Sequence, residues 1–334
     1  MTSMSKSSPI ATVFGGSGFL GRYVTQRLAR AGWRVRVAVR RPNEALFVRP
    51  YGVVGQVEPV QANIRDEDST RRAIAGADAV INCVGILAEA GKQRFDAVQD
   101  EGAARIARIA REEGVGRMVQ ISAIGADAES ESEYARSKAA GEAAVAEAFP
   151  GAVILRPSIM FGTEDGFFNR FAAMARLSPA LPLVGPETRF QPVYVDDVAA
   201  AAVKAASQDV APGIYELGGP EVETFRGLMQ RMLRLIERRR MLLTVPFWMA
   251  RIQGAMLDLA QRLSFGLFTN NLLTADQVRL LAHDNVVAPE ARGFAELGIE
   301  PTAMEAVLES YLYAYRPHGQ FDKITASARN LRES

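Results

Sequence analysis

VFGGSGFLGRYV, residues 13–24, places glycines at 15, 18 and 21 between a short apolar run and a stretch that repeats at helical spacing. Gly15 permits a tight turn, Gly18 lets the backbone approach a pyrophosphate, and Gly21 lets the helix pack on a sheet. A glycine triplet alone is weak evidence. At the first strand–helix joint of a chain it predicts a dinucleotide-binding unit.

The sequence around it supports that reading. IATVF (10–14), VRVAV (35–39), VEPVQAN (57–63), DAVINCV (78–84), RMVQISAI (117–124) and AVILRPS (152–158) read as strands, and IYELGG (214–219) as one more. GRYVTQRLARAGW and ARIARIAREEGV read as helices between them. Such alternation predicts an α/β fold, a Rossmann-like doubly wound parallel sheet. A smaller, mostly helical C-terminal portion, built from discontinuous segments, is expected beside it. The expected dinucleotide-binding part is 1–160, with 191–219 returning to it. Segments 161–190 and 220–320 form the substrate-side, docking portion, and 321–334 a polar tail. Residues 225–245 and 247–268 both read as strongly helical.

Composition excludes several function classes. With 334 residues, 48% hydrophobic content and a net charge of +1, the chain can bury a large core and shows no global bias towards nucleic acid. The single cysteine, Cys83, lies in an apolar run and suits an inert buried thiol in a reducing compartment. His283 and His318 are the only histidines and neither has ligands beside it, so no metal is expected. The first residues, MTSMSKSSP, have the character neither of a secretory signal nor of an Arg-rich transit peptide. No stretch is apolar for long enough to span a bilayer.

Two features narrow the chemistry. Where NAD binders carry an acid about 20 residues past the glycines, this chain reads VAVRRP. Arg40 and Arg41 suit a 2′-phosphate, and NADP(H) is the expected cofactor. Further on, Tyr134 and Lys138 stand four apart in EYARSK, which puts them on one helical face. There the ammonium is expected to lower the phenol pKa. The stretch Ser122-Ala123-Ile124 supplies only one hydroxyl near them.

The glycine spacing, the fourth strand ending in NCVG, Tyr134-x-x-x-Lys138 and LRPSIMFG together resemble the extended and atypical short-chain dehydrogenase/reductase families. The resemblance implies that Gly15, Ser17, Gly18, Phe19 and Leu20 lie against a diphosphate. It puts Asn63 and Ile64 by the adenine, Val84 and Gly85 near the ribose, and Tyr134 and Lys138 on the nicotinamide side, with Pro157 and Ile159 also among the cofactor-binding residues. In this alignment Ile124 stands where the family carries its catalytic hydroxyl, with Ser122 two residues short of it. The cofactor site reads as intact and the catalytic set, Tyr134, Lys138 and Ser122, as vestigial.

LLTADQVRLLAHDNVV (272–287), taken with FGGSGFLGRYV, resembles the NADPH-binding accessory subunit family of respiratory complex I, in its bacterial version. That implies a tightly held structural NADPH and no turnover of its own. It also implies docking on other subunits of the hydrophilic arm near the quinone site, peripherally, at the cytoplasmic face of the inner membrane. In PFWMARIQGAMLDLAQRLSFGLF, Trp248, Ile252, Met256, Leu259 and Leu263 recur at helical spacing, and ERRRMLL stands upstream. Segment 247–268 reads either as ordinary core or as a face that docks on a partner or the membrane surface. A free NADP-dependent reductase or epimerase of a small substrate, and an NADP-sensing regulator, stay open as alternatives.

Overall fold

The computed structural model describes residues 8–263 and 274–317, apart from 88, 90, 92 and 93. The chain divides into two compact units. The first comprises residues 1–157, 195–217 and 287–300, and the second 158–194, 218–286 and 301–334.

In the first unit, strands β1 (Ile10–Phe14), β2 (Arg34–Val39), β3 (Val57–Gln61), β4 (Ala79–Asn82), β5 (Arg117–Ile121) and β6 (Val153–Pro157) join strand Gly213–Leu217 in one sheet. Its order is Gly213–Leu217, β6, β5, β4, β1, β2, β3, and every pairing is parallel. The order reverses beside β1, so the C-terminal ends of β1 and β4 flank the crevice where ligands of doubly wound sheets sit. Helices α1 (Phe19–Arg30), α2 (Glu67–Ile74), α3 (Glu101–Glu112) and α4 (Glu133–Ala148) connect the strands. Right-handed crossovers running in opposite directions from β1 and β4 place their helices on opposite faces. Accordingly α1 packs with helix Val195–Ser207, whereas α3 packs with α2 and α4. Strands covered on both sides need continuous apolar runs, and Val13, Val37, Val80, Ile81 and Val119 are fully buried.

Residues 287–300 also belong to this unit, although the sequence reading put them in the C-terminal portion. Their attachment is polar, which hydrophobic periodicity cannot show. The Ala288 amide donates to Glu216 Oε2 at 2.9 Å, and the Glu216 amide to the Arg292 carbonyl at 2.8 Å. The other oxygen of Glu216 accepts from Arg156, whose guanidinium also clasps both oxygens of buried Glu142 at 2.8 and 2.6 Å.

The second unit gathers Phe161, Phe168, Leu181, Leu183, Phe190, Phe225, Met232 and Leu308 into its own core. Helix Phe225–Leu235 stops well before residue 245, contrary to the helical reading of 225–245. Glu237 takes a left-handed φ of 54° and breaks the run, and Met241–Val245 becomes a strand parallel to Ala180–Val184. Helix Phe247–Leu263 follows; the rest of 247–268, with the side chains of Leu259 and Leu263, lies outside the described residues, as do His318 and the 321–334 tail. Among the described residues no helix is long and apolar enough to cross a membrane.

Arg156→Met should leave Glu142 and Glu216 buried without their cation. Breaking a buried pair in this way costs about 3–5 kcal/mol. The urea midpoint should fall with little change in slope; an unshifted midpoint would mean the cluster adds nothing to the sheet.

Candidate functional site

The glycine turn is built by backbone contacts. The Gly15 amide donates to the Ala38 carbonyl at 3.0 Å and the Gly18 amide to the Gly15 carbonyl at 2.9 Å. A β-carbon on Gly15, whose φ is +72°, would lie 3.3 Å from the Cys83 carbonyl and Val84 Cγ2. Gly18 is the N-cap of α1, and no side chain caps that helix. Phe19 and Leu20 open its first turn, so the positive end of the helix dipole faces the crevice without an internal anion. A β-carbon on Gly18 would sit 3.1 Å from the Gly15 carbonyl oxygen.

Arg22 was not picked out from the sequence. Its guanidinium donates to the Ser17 and Gly18 carbonyls, both at 3.3 Å, and stacks 5.0 Å from the Phe47 ring. A cation in the first turn of a helix opposes the dipole, and that was the legible signal. Arg40 and Arg41 are exposed just past β2, two and three residues beyond the carbonyl that Gly15 engages. Arg41 pairs with Glu44 at 2.9 Å, and both side chains are well exposed. Asn63 caps a local turn by accepting from the Arg65 amide at 3.2 Å. Ile64 is buried against Gly102, and Arg105 holds its carbonyl at 2.7 Å.

Val84, Gly85, Lys138 and Ser122 come together at the ends of β4 and β5. Lys138 Nζ donates to the Ile121 carbonyl at 3.4 Å, and a β-carbon on Gly85 would lie 3.3 Å from that ammonium. A buried amide pair supports this corner. Asn82 Nδ2 donates to Gln120 Oε1 at 2.9 Å, the Val84 amide donates to Asn82 Oδ1, and Gln120 Nε2 donates to the Ile121 carbonyl. Pro157 ends β6, where its carbonyl accepts from the Ile124 amide at 3.1 Å. Ile159 falls in the second unit, its amide bonded to Asn285 Oδ1 at 3.2 Å.

The dyad's electrostatics differ from the sequence expectation. Lys138 Nζ lies 5.9 Å from the Tyr134 ring centroid, so the shared face is real. The Tyr134 phenol, however, is pushed up to about 12 by desolvation. Desolvation likewise takes the Lys138 ammonium down to about 8, against the opposing pull of Glu142 one turn on. Burial sets the shift in both groups, and at Lys138 it outweighs the neighbouring charge. The Cys83 thiol is also raised to about 12 by burial, which fits an inert role. Nearby, the π-helical turn Asp96–Asp100 carries Gln99, whose Nε2 donates to the Ile86 carbonyl at 2.8 Å. Gln99 Oε1 and Ser122 Oγ are both buried without a hydrogen-bond partner. Nothing in the sequence pattern pointed to Gln99. Orphaned polar atoms of this kind fit a crevice that receives a polar ligand. Among the described residues no cluster could hold a metal.

Lys138 gives a pH signature. Its folded pKa lies below the ordinary 10.5, so its stabilising contribution is present above 10.5 and is lost as pH falls through 8. Relative to Lys138→Gln, the native chain should gain stability between pH 8 and 10.5, by up to about 3 kcal/mol. Parallel denaturation curves across that window would refute the depressed pKa.

Comparison with known proteins agrees with this geometry. The model of the NAD dependent epimerase/dehydratase family matches residues 11–218. Subunit 9 of the NADH dehydrogenase [ubiquinone] 1 alpha subcomplex of Arabidopsis thaliana is 37% identical, over 94% of this chain and 80% of that protein. A ceramide reductase of Caulobacter vibrioides is 31% identical, over 75% of this chain and 77% of that protein. The crystal structure of a UDP-glucose 4-epimerase from Thermotoga maritima superposes with a TM-score of 0.65, covering 91% of this chain and 97% of that one, at 16% identity. The chain belongs to the NAD dependent epimerase/dehydratase family, in the branch that includes subunit 9 of the NADH dehydrogenase alpha subcomplex.

Proposed function

We propose that the chain is an accessory subunit of respiratory complex I that holds NADP(H) as a structural element and has no turnover of its own. The observation that carries this reading is the contrast within one crevice. The glycine turn and the uncapped end of α1 are complete, while the Tyr134 phenol is raised to about 12 and Ile124 stands at the hydroxyl position. When bound, NADP(H) would supply a hydride couple. Here Gly15, Ser17, Gly18, Phe19 and Leu20 would hold its diphosphate and Arg40 and Arg41 its 2′-phosphate. Asn63 and Ile64 would flank the adenine, Val84, Gly85 and Lys138 the ribose, and Tyr134 and Pro157 the nicotinamide.

Its partners would be other subunits of the hydrophilic arm near the quinone site, at the cytoplasmic face of a bacterial inner membrane. Segment 247–268 would lie on the docking side. Similarity to a subunit of NADH dehydrogenase over nearly the whole chain supports the assembly. Similarity to the ceramide reductase supports a second reading, a free NADP-dependent reductase. Purification from membranes separates the two. Co-migration with a quinone-reducing complex is the expected result; a free protein that oxidises NADPH with a carbonyl substrate would establish the second.

Two substitutions test the cofactor. Arg40→Ala/Arg41→Ala should reduce the preference for NADP(H) over NAD(H) by at least about 1–3 kcal/mol, the scale of charge-assisted hydrogen bonds. Extraction of mainly NAD(H) from the native protein would contradict this assignment. Gly18→Val puts a branched side chain against the Gly15 carbonyl, where the pyrophosphate must approach. A ligand at 100 times its dissociation constant stabilises the folded state by about 2.7 kcal/mol. The variant should therefore lose nucleotide, melt earlier and leave the complex deficient in this subunit. Normal assembly of a nucleotide-free variant with unaltered melting would overturn the structural-cofactor reading.

A further inference from the structure

Helix Phe247–Leu263 is turned inside out. Its small residues Ala250 and Gly254 face inward; Ala250 packs with Val184 and Val278, and a β-carbon on Gly254 would meet the Ala275 backbone nitrogen at 2.8 Å. Phe247 packs with them, whereas Trp248, Ile252 and Met256 face outward, 64%, 55% and 67% exposed, with Met249 beside them. Soluble helices bury such residues, so a stripe of this size marks an interface. Strand Met241–Val245, which leads into this helix, also exposes Met241 and Leu243, and exposed Leu177 lies close in sequence to Pro179, whose carbonyl accepts from the Met241 amide at the strand's start.

Beside Leu177 and Met241 the surface carries unmatched positive charge. Arg238 is held below the ordinary arginine range by burial and by the adjacent Arg240 and Arg176. Arg238 donates to the Tyr315 carbonyl, and Arg240 to the Ala175 and Arg239 carbonyls. Among the described residues, Arg176, Arg238, Arg239 and Arg240 form no ion pair, and the neighbouring Glu237 is taken by Arg316. Arg251 adds a further exposed cation on the helix.

We propose that this face seats on an anionic phospholipid bilayer. The arginines meet the phosphates, and Trp248, Ile252, Met256, Met241 and Leu177 enter the boundary between headgroups and acyl chains. Protein partners rarely match several like charges spread along an apolar strip, whereas an anionic leaflet supplies both chemistries across its whole surface. The inference rests on the accessory-subunit reading only in placing the chain at a membrane, and its test uses the isolated full-length chain.

That test is flotation with phosphatidylcholine vesicles, with and without phosphatidylglycerol, at low and high salt. The chain should float with the anionic vesicles and be released by salt. Arg176→Gln/Arg239→Gln, which removes two cations whose side chains make no hydrogen bond among the described residues, should weaken binding roughly 25-fold, about fivefold per charge. Trp248→Ser/Ile252→Ser should also weaken it without lowering the melting temperature, because both side chains are exposed. Equal binding to neutral and anionic vesicles, unchanged binding by the arginine variant, or no flotation at all would overturn the proposal. In the last case, retention by a delipidated complex would assign the face to protein and leave the accessory-subunit reading standing.

Discussion

At Gly21 a β-carbon would lie 2.1 Å from the Gly15 carbonyl oxygen and 2.7 Å from Gly16 Cα, a distance no side chain tolerates. That close approach of two backbones sets how α1 leaves β1, and with it where the helix end points. Gly15 makes the second half of the constraint by pressing against the Cys83 carbonyl and Val84 at the end of β4. Two strands and a helix are thus brought to one point by residues that lack side chains. The Lys138 corner, one strand over, repeats the device with Gly85 against the ammonium. The ligand-facing end of the first unit is shaped by glycine contacts, and its core hydrophobes serve mainly to hold the sheet beneath.

This explains what could be read from the sequence. Parallel strands covered on both faces require continuous apolar runs, so their number and alternation with helices were visible in the pattern. The glycine turn was visible because only glycine satisfies it. Polar attachments left no such trace. Nothing in the hydrophobic period marks Glu216 as the acceptor for the Ala288 amide, so 287–300 was assigned to the other portion. Nor could spacing reveal that Gln99 and Ser122 carry buried unpartnered oxygens.

The misread helix at 225–245 and the stripe at 247–263 fail for related reasons. A period of 3.6 reports that apolar residues share a face, and it does not say whether that face turns inward. Around residue 237 the chain abandons the helix for a left-handed turn, after which alternate residues of MLLTV serve a strand edge. In the next helix the spacing was right and its expected packing was undecided. Ala250 and Gly254, on the opposite side from the apolar stripe, meet the protein together with Phe247.

The dyad completes the physical picture. A phenol that exchanges protons at neutral pH needs a nearby charge strong enough to favour phenolate over its desolvation penalty. Here the ammonium that should supply it is itself desolvated, down to about 8, so a fraction of it is neutral close to physiological pH. With the phenol pushed up to about 12, the protonated form holds at neutral pH. Burial has a second consequence: hydrogen bonds made in a dry crevice are stronger than those made in water. Tyr134 and Lys138 therefore keep the shared face of a catalytic pair in surroundings that hold the phenol protonated.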